Sequence, residues 1–422
     1  MFETTGEQPG YLSMASFEDS LTCIVGEAQL TNIVTKSISE AVGCVLAENL
    51  VAPISVPSFD NSAMDGFAFA SADVSGASSA KPVSMPIVGA SIAGDTAGLS
   101  HLQPGFAAKI MTGAPMPDGA DTVLPVEFAS WQHNKLTFYD PYPAGKHVRR
   151  VGEDVKTGTV VLSKGTRLEG QHVPLLCALG LARIPVYRAP RLSWIATGQE
   201  ISDDFESPLK PGHIYNATGL FGAVSAADMG FDLAAKVTVR DTPQDFSAAL
   251  YDALDKKVDI IISTGGVSAG QYDFVKPVLE DMGAKILLHK ARIKPGKPVL
   301  FALLPDGTYF FGLPGNPIST ALALRVFVTP FIRAVSGLPS EKPQSGKLLK
   351  DCKTSSNRTV FLMAQAATTS EGMLGVTPNA SQQSFQTRPF ANSNAWIIAP
   401  EGEGGLKAGT IVNWLPIKAG VF

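Results

Sequence analysis

Positively charged side chains are concentrated in one short segment of the chain, KARIKPGKP at 290–298. Lys290, Arg292, Lys294 and Lys297 place four cations within eight residues of a chain whose formal net charge is −4. The two prolines stiffen the segment, which lowers the entropy lost when these charges are held in place. Such a segment could bind a phosphate or a tetrahedral metal oxyanion. The alternative interpretation is a solvated surface loop.

Polar turns, most of them rich in glycine, follow four short apolar runs in the second half of the chain. They are TGQE at 197–200, RD at 240–241, TGGVS at 264–268 and LPGNP at 313–317. If the runs are parallel strands, the turns share one edge of the sheet, where open α/β sheets bind ligands. Glycine lets a backbone approach a ligand closely, and helix N-termini offer N–H groups to an anion. The pattern predicts a phosphate-binding edge. A purely structural turn is the alternative for TGGVS, which no GK[ST] follows to make a Walker A loop.

Three carboxylates, Glu200, Asp241 and Asp273, fall at or just beyond the ends of these apolar runs. Mg²⁺ prefers a few carboxylates together with water and phosphate oxygens, so the three residues are candidate metal ligands beside a bound phosphate. The alternatives are that Asp241 caps the following helix and that Asp273 complements a helix dipole.

The elements that must position these groups are strands and helices in alternation. From Arg191 to about Ser336, apolar runs alternate with helices of about 10–15 residues, which favours βαβ units and a mainly parallel sheet. Asn216 is a predicted N-cap, Pro243 is predicted near the first position of the next helix, and a long helix is predicted over 317–336. The first 50 residues are predicted to be helical, with one helix starting at Ser16 and another over 39–49.

The predicted fold is a multidomain α/β fold. Its centre is a three-layer α/β domain with a mainly parallel sheet at 189–337. The other predicted parts are an N-terminal mixed α/β domain with helices (1–56 and 156–188), a β-rich inserted domain (57–155) and a small C-terminal β-barrel-like domain (338–422).

Composition excludes several classes of protein. The 422 residues are 45% hydrophobic, which is enough for several ordinary cores, and 34 basic residues face 38 acidic ones. Because basic residues do not outnumber acidic ones, the composition does not favour nucleic acid or an anionic membrane as a partner. The N-terminus does not resemble a signal peptide, and no run of about 18 apolar residues suggests a transmembrane helix. The four cysteines include no CxxC pair, so neither a structural zinc site nor a disulfide framework is expected. These features together predict a cytoplasmic location.

Seven motifs lie along the chain: SFDNSAMDGFA at 58–68, IMTGAPMPDGAD at 110–121, RRVGEDV at 149–155, ATGQE at 196–200, STGGVSAGQYDF at 263–274, IKPGKP at 293–298 and GLPGNPIST at 312–320. In this order they resemble the MoeA/gephyrin family, the molybdopterin molybdenumtransferases of molybdenum cofactor synthesis.

The resemblance implies an enzyme that inserts molybdate into adenylylated molybdopterin and releases AMP, with Mg²⁺ as cofactor. It implies a homodimer that forms through the N-terminal domain. The inserted domain of one subunit would face the α/β domain of the other, so that the active site lies between two chains. The implied protein partners are a molybdopterin adenylyltransferase and the enzymes that accept the cofactor.

The resemblance also assigns roles to individual residues. The implied catalytic residues are Asp65, Thr112, Glu200, Asp241 and Asp273. Of these, Glu200, Asp241 and Asp273 are the implied metal ligands. The implied substrate-binding residues are Asp154, Thr197, Gly198, Gly265, Gly266, Ser268, Lys290, Lys294, Lys297, Pro314, Gly315 and Pro317. The family usually has an acidic residue where this chain has Gln199, so no metal role is expected there.

Three other functions compete with this one. A molybdopterin adenylyltransferase would use the α/β domain alone and leave the first 190 or so residues without a role. A receptor-clustering scaffold, as in gephyrin-like relatives, is associated with a fused adenylyltransferase domain and a long disordered linker, and the sequence contains neither. The third alternative is a paralogue that has lost activity, which the presence of Gln199 suggests.

Overall fold

The structure is a computed structural model that describes residues 10–94, 99–267, 274–354, 357–402 and 404–418. The chain divides into two compact units. The first, called the α/β unit here, comprises Met1–Lys36, Glu40–Ala47 and Pro185–Phe422. The second, called the inserted unit, comprises Ser37–Ser39 and Glu48–Ile184. The four domain boundaries expected from the sequence stay a prediction.

A seven-stranded sheet forms the centre of the α/β unit. Its strands lie in the order Leu12–Ala15, Lys285–Ala291, Leu300–Leu303, Tyr309–Leu313, Ile260–Thr264, Arg191–Thr197 and Asp232–Val239. Four of the six neighbouring pairs are parallel, and the two antiparallel pairs both involve Leu300–Leu303. The mainly parallel sheet predicted from the sequence is therefore confirmed.

Both faces of this sheet are buried. Because successive side chains of a strand point to opposite faces, neighbouring residues belong to different cores. Trp194 and Ile262 belong to the core on one face, and Ile195 and Ile261 belong to the core on the other. The strand Ile260–Thr264 is accordingly buried at every position.

Helices cover both faces and complete the three layers. Pro243–Asp255 and Val275–Asp281 contribute to the core that contains Ile261. Phe17–Gly26 and the segment Pro317–Val335 contribute to the opposite core. A Cβ added to Gly222, in helix Ala217–Asp228, would lie 2.5 Å from the Trp194 ring, so this helix packs closely on the same face as the last two.

The helical segment Pro317–Val335 consists of Pro317–Ala323, a π-helical turn over Leu324–Val328, and Thr329–Val335. In the described part of the chain, it is the one helix long and apolar enough to cross a membrane by length and composition, and 83% of it is buried inside the protein. It shares its core with the central sheet and with Phe361 and Trp396, and it lies where a core helix is expected.

The C-terminal region forms a closed barrel. Its strands are Gln344–Leu348, Thr359–Thr368, Leu374–Pro378, Ala395–Ala399 and Ile411–Pro416. The barrel closes because Thr359–Thr368 pairs with both Leu374–Pro378 and Ala395–Ala399. The barrel-like domain predicted from the sequence is confirmed.

The inserted unit is rich in β-structure. Its six-stranded sheet has the order Thr122–Pro125, Gly66–Phe69, Ala107–Ile110, Val83–Ser91, Lys135–Phe138 and Ser130–Gln132. Shorter strands of this unit are Leu50–Val51, Asn61–Ser62, Val148–Arg149 and Val160–Leu162, and its helices are Ser71–Val74, Val126–Phe128, Gly170–His172 and Val173–Ala178.

The remaining short elements are Ile33–Lys36, Ile184–Tyr187, Ile201–Ser202, Ile214–Tyr215, Ile293–Lys294, Cys352–Lys353, Gly405–Leu406 and the helix Thr387–Ala391. The N-terminal region differs from the helical prediction. The predicted helix start at Ser16 is confirmed, but Leu12–Ala15 and Ile33–Lys36 are strands. The helix predicted over 39–49 is wrong, since helical structure extends over Ile38–Ala41 alone.

Candidate functional site

The ends of four neighbouring strands meet in register at one edge of the central sheet. Thr197 pairs with Val239, and Thr264 pairs with both Ala196 and Leu313. The turns that follow these residues therefore begin side by side, as the sequence predicts for parallel strands.

Close contacts in these turns require glycine. Gly265 has a φ of 93°, and a Cβ there would lie 2.5 Å from Thr197 Oγ1. A Cβ on Gly315 would lie 3.6 Å from the Cα of Gly265. Gly266 has a φ of 65° and is packed against the Phe274 ring. Predicted substrate-binding residues from three separate turns are thus brought together by the backbone.

The cationic segment begins at the same edge. Lys290 N–H donates to Val299 O at 2.7 Å, and the next residue, Leu300, pairs with Gly312. Lys290 consequently lies in the same row as Thr264, three strands away, which corresponds to about 14 Å. The segment then folds over the start of helix Pro317–Ala323.

Three lysines of this segment are available to an anion. A Cβ on Gly296 would lie 3.4 Å from Ser319 O, which places the segment against the helix that follows Pro314 and Gly315. Lys294 and Lys297 are exposed and Lys290 is half-buried. Among the residues that the structure describes, no carboxylate lies within 4.0 Å of these three ammonium groups.

Arg292, the fourth cation, has a different role. Its guanidinium pairs with Glu401 at 3.3 Å and donates to Met14 O at 2.9 Å. Arg292 therefore joins the first strand of the sheet to the barrel and contributes to the fold.

Glu200 and Asp241 follow adjacent strands at the edge. Glu200 is exposed and Asp241 is half-buried. The cap of helix Pro243–Asp255 is Thr242, whose hydroxyl accepts from Asp245 N–H at 3.1 Å, so the capping alternative for Asp241 is wrong.

Two of the three metal ligands predicted from the sequence, Glu200 and Asp241, are among the described residues. Asp273, like the substrate-binding candidate Ser268, lies outside the described residues. Within the described ranges, no group of three His, Cys, Asp or Glu side chains could hold a metal ion. Glu200 and Asp241 still suit Mg²⁺ by donor type, because this ion takes few carboxylates and completes its shell with water and phosphate oxygens.

The inserted unit carries a second group of predicted residues, around Asp65. One oxygen of Asp65 accepts from Thr112 N–H at 2.7 Å and from the Thr112 hydroxyl at 2.8 Å. These two bonds lower the pKa of Asp65 below its ordinary value. Gly66 follows directly, and a Cβ there would lie 2.1 Å from Leu124 O, so the motif requires glycine at this position.

The three motifs of the inserted unit meet in space. Asp60, in the first motif, accepts from the Arg150 guanidinium at 2.6 Å and from Val151 N–H at 2.8 Å, both in the third motif. The Asp65–Thr112 contact joins the first motif to the second. Asp154 is exposed, and no hydrogen bond between described residues connects its side chain to Asp65 or Thr112.

Asp203 was not among the site residues predicted from the sequence. Its carboxylate accepts from the Thr238 hydroxyl, the Lys236 ammonium and the Asn216 amide, all near the same strand ends. Burial raises the pKa of Asp203, but these hydrogen bonds outweigh burial and lower it. No local sequence signal connects Asp203 with partners that lie 13 to 35 positions further along the chain.

Comparison with known families places these motifs in context. Three families match parts of the chain. The family described as “MoeA N-terminal region (domain I and II)” matches residues 15–180, the “Probable molybdopterin binding domain” family matches 193–334, and the “MoeA C-terminal region (domain IV)” family matches 345–417.

Two relatives and two solved structures extend over most of the chain. The molybdopterin molybdenumtransferase of Synechococcus elongatus is 35% identical over 369 residues, which cover 87% of this chain and 90% of the relative. The molybdopterin molybdenumtransferase 2 of Mycobacterium tuberculosis is 36% identical over 390 residues, which cover 89% and 93%. Two crystal structures of the molybdopterin biosynthesis MoeA protein from Pyrococcus horikoshii match with TM-scores of 0.84 and 0.80, at 27% and 25% identity. They cover 96% and 95% of this chain, and 100% and 99% of their own. The chain therefore belongs to the MoeA family, and like the relatives named here it is a transferase.

Proposed function

We propose that this protein inserts molybdate into adenylylated molybdopterin, forming the molybdenum cofactor and releasing AMP. The names of its relatives support molybdopterin and molybdenum as substrates. The observation that carries the proposal is the edge of the central sheet. There, glycine turns at three strand ends lie on the same side as Lys290 and the backbone of Lys297, and Lys294 belongs to the segment that joins these two lysines.

In this proposal the edge has two parts. The backbone N–H of Gly266, together with Thr197 and the close approach that Gly198 and Gly265 allow, binds the phosphates, and the three lysines bind molybdate. The N–H groups of Gly198 and Gly265 themselves donate to Val239 O and Leu313 O, both at 3.1 Å. The segment from Pro314 to Pro317 lies between them. Cleavage of the phosphoanhydride leaves negative charge on AMP, and fixed cations and N–H groups stabilise that charge in the transition state.

We assign Mg²⁺ to Glu200, Asp241 and Asp273. When bound, the ion would supply further neutralisation of the phosphate charges. Other residues of the protein do the rest: the lysine side chains orient molybdate, and the backbone of the glycine turns holds the phosphates of the substrate in a fixed position.

We further propose that the protein is a cytoplasmic homodimer whose active site combines the α/β unit of one subunit with Asp65, Thr112 and Asp154 of the other. A molybdopterin adenylyltransferase must supply the substrate, because the adenylyl group has to be attached beforehand. Enzymes that use the molybdenum cofactor would receive the product.

The test is an insertion assay with purified protein, adenylylated molybdopterin, Mg²⁺ and molybdate, in which AMP and dithiolene-bound molybdenum are both measured. We expect AMP release to require the oxyanion and Mg²⁺, and tungstate in a parallel reaction shows how selective the site is. Lys294→Ala should lower the rate by about 10²–10³-fold. Lys407→Ala is the matched control, because Lys407 is an exposed barrel lysine paired with Asp351.

An opposite pattern would contradict the proposal. A protein that makes adenylylated molybdopterin from ATP and molybdopterin, and releases no AMP from it with molybdate, would be an adenylyltransferase. A protein inactive in both assays would be a scaffold or an inactive paralogue.

A further inference from the structure

A line of polar side chains runs beneath the strand edge, from Asp203 to the residue that precedes the glycine turn. The Asn216 amide donates to Asp203 Oδ1 at 3.0 Å and to Thr238 Oγ1 at 2.9 Å. On its other side, Asn216 Oδ1 accepts from the Thr218 hydroxyl at 3.4 Å. The Thr218 and Thr264 hydroxyls are 3.2 Å apart, and Gly265 comes next in the chain. Asp203 is thus connected to the glycine turn through three intervening side chains.

The middle of this line is buried. Asn216, Thr218 and Thr264 are 1%, 5% and 1% exposed. Asn216 Oδ1 also accepts from Gly219 N–H at 2.7 Å, which caps helix Ala217–Asp228. Buried polar groups must have partners, so the orientation of the Asn216 amide decides where the two threonine hydroxyls point.

The carboxylate of Asp203 holds that orientation. It accepts from three donors: the Asn216 amide, the Thr238 hydroxyl at 2.5 Å and the Lys236 ammonium at 3.2 Å. An amide at position 203 would have one acceptor oxygen and would turn an NH₂ group towards these donors. At least one donor would then lose its acceptor, and the amide of Asn216 could rotate.

We propose that Asp203 is a positioning residue for substrate binding. It fixes Asn216, and through Thr218 and Thr264 it fixes the turn at Gly265. Asp203 itself touches no substrate in this scheme. The assignment rests on the proposed function, in which the glycine turn binds the phosphates of adenylylated molybdopterin.

The test compares Asp203→Asn and Thr218→Val with Asp232→Asn by steady-state kinetics and thermal unfolding. Asp232 is the matched control, because it lies at the opposite end of strand Asp232–Val239 in an exposed pair with Arg191. We expect KM for adenylylated molybdopterin to rise about five-fold or more in both test variants, with kcat within about two-fold, since binding common to ground and transition states is lost. KM of the double variant should be no higher than KM of the more impaired single variant, because both changes break the same line of contacts. A merely structural role would lower the unfolding temperature and leave KM unchanged.

Several results would overturn the role of Asp203. They are a KM within about two-fold of wild type in folded Asp203→Asn, an equal rise in Asp232→Asn, or fully additive effects in the double variant. If Asp203→Asn does not fold, Thr218→Val carries the test, and an unchanged KM in that variant overturns the proposal. A wild-type protein that releases no AMP overturns the proposed function and this assignment together. An active wild type with an indifferent Asp203 overturns the assignment alone.

Discussion

Asp65 is an exposed carboxylate whose ionised form is stabilised by Thr112. Both hydrogen bonds from Thr112 reach the same oxygen of Asp65, and among the described residues no hydrogen bond to the second oxygen is seen. The two bonds therefore favour the ionised form of Asp65 and lower its pKa.

Thr112→Val should raise the pKa of Asp65. The substitution removes the hydroxyl donor and keeps the backbone N–H, so part of the downward shift disappears. In wild type the Asp65 carboxyl should titrate below its usual value of about 3.9, and in the variant closer to it. As the pH falls, the variant would lose the ionised carboxylate first, and the acid limb of its activity would lie at higher pH. NMR titration of the carboxyl carbon measures the pKa directly.

Thr157→Val is the control for that titration, because the Thr157 hydroxyl bonds to Ser55 elsewhere in the inserted unit. Identical Asp65 titration curves in wild type and Thr112→Val would show that the hydroxyl bond does not control the charge.

Residues at strand ends could be predicted from the sequence, and their partners could not. Parallel topology alone places the turns after Thr197, Thr264 and Leu313 at one edge. The ion pair between Arg292 and Glu401 joins positions 109 residues apart, so the local cluster of four cations gave no indication that one of them is structural. The same holds for Asp203, whose contacts depend on how the loop returns to the sheet.

The turn at Gly265 should tolerate alanine far less well than an ordinary glycine turn does. Gly265 and Gly307 have φ values of 93° and 91°, so alanine is strained by about 1–2 kcal/mol at either position. A Cβ at Gly265 also meets Thr197, whereas nothing lies within 4 Å at Gly307. Gly265→Ala should therefore displace the turn and lower kcat/KM by about 10²-fold, and Gly307→Ala should not. Kinetics and thermal unfolding of both variants make the comparison, and equal losses of kcat/KM would contradict it.

The helix Ala217–Asp228 can pack closely on the sheet because Gly222 has no side chain. Gly222→Ala places a methyl group 2.5 Å from the Trp194 ring, and overpacking of this kind costs about 1–3 kcal/mol. Gly26→Ala, also in a helix but with nothing within 4 Å, should be neutral or slightly stabilising. Urea unfolding gives both free energies. A Gly222→Ala variant as stable as Gly26→Ala would mean that this helix can shift away without cost.

Local signals predicted most of the elements, and a long-range contact explains the clearest failure. Asn216 was predicted as an N-cap and Ser16 as the start of a helix, and both side chains accept from the backbone N–H three residues later. The apolar spacing over 39–49 is helical, but Tyr187 N–H donates to Val45 O and pairs that segment with a distant part of the chain. Burial of Val45 beside Tyr187 replaces helix formation, and no local periodicity reports it.

The proposed chemistry needs residues from both units. The lysines and glycine turns are in the α/β unit, and Asp65 and Thr112 are in the inserted unit. If the active site combines two subunits, each dimer has two sites, and each site takes one unit from each chain.

Subunit mixing distinguishes a shared site from one made within a single chain. Asp65→Asn and Lys294→Ala should each be inactive as homodimers. Mixed dimers would contain one site with both substitutions and one site with neither, so an equal mixture should recover about a quarter of wild-type activity in the insertion assay. If each site were made within one chain, every site in the mixture would carry a substitution and no activity would return. Mixing two differently tagged Asp65→Asn preparations is the control, because subunit exchange alone restores no site in either arrangement.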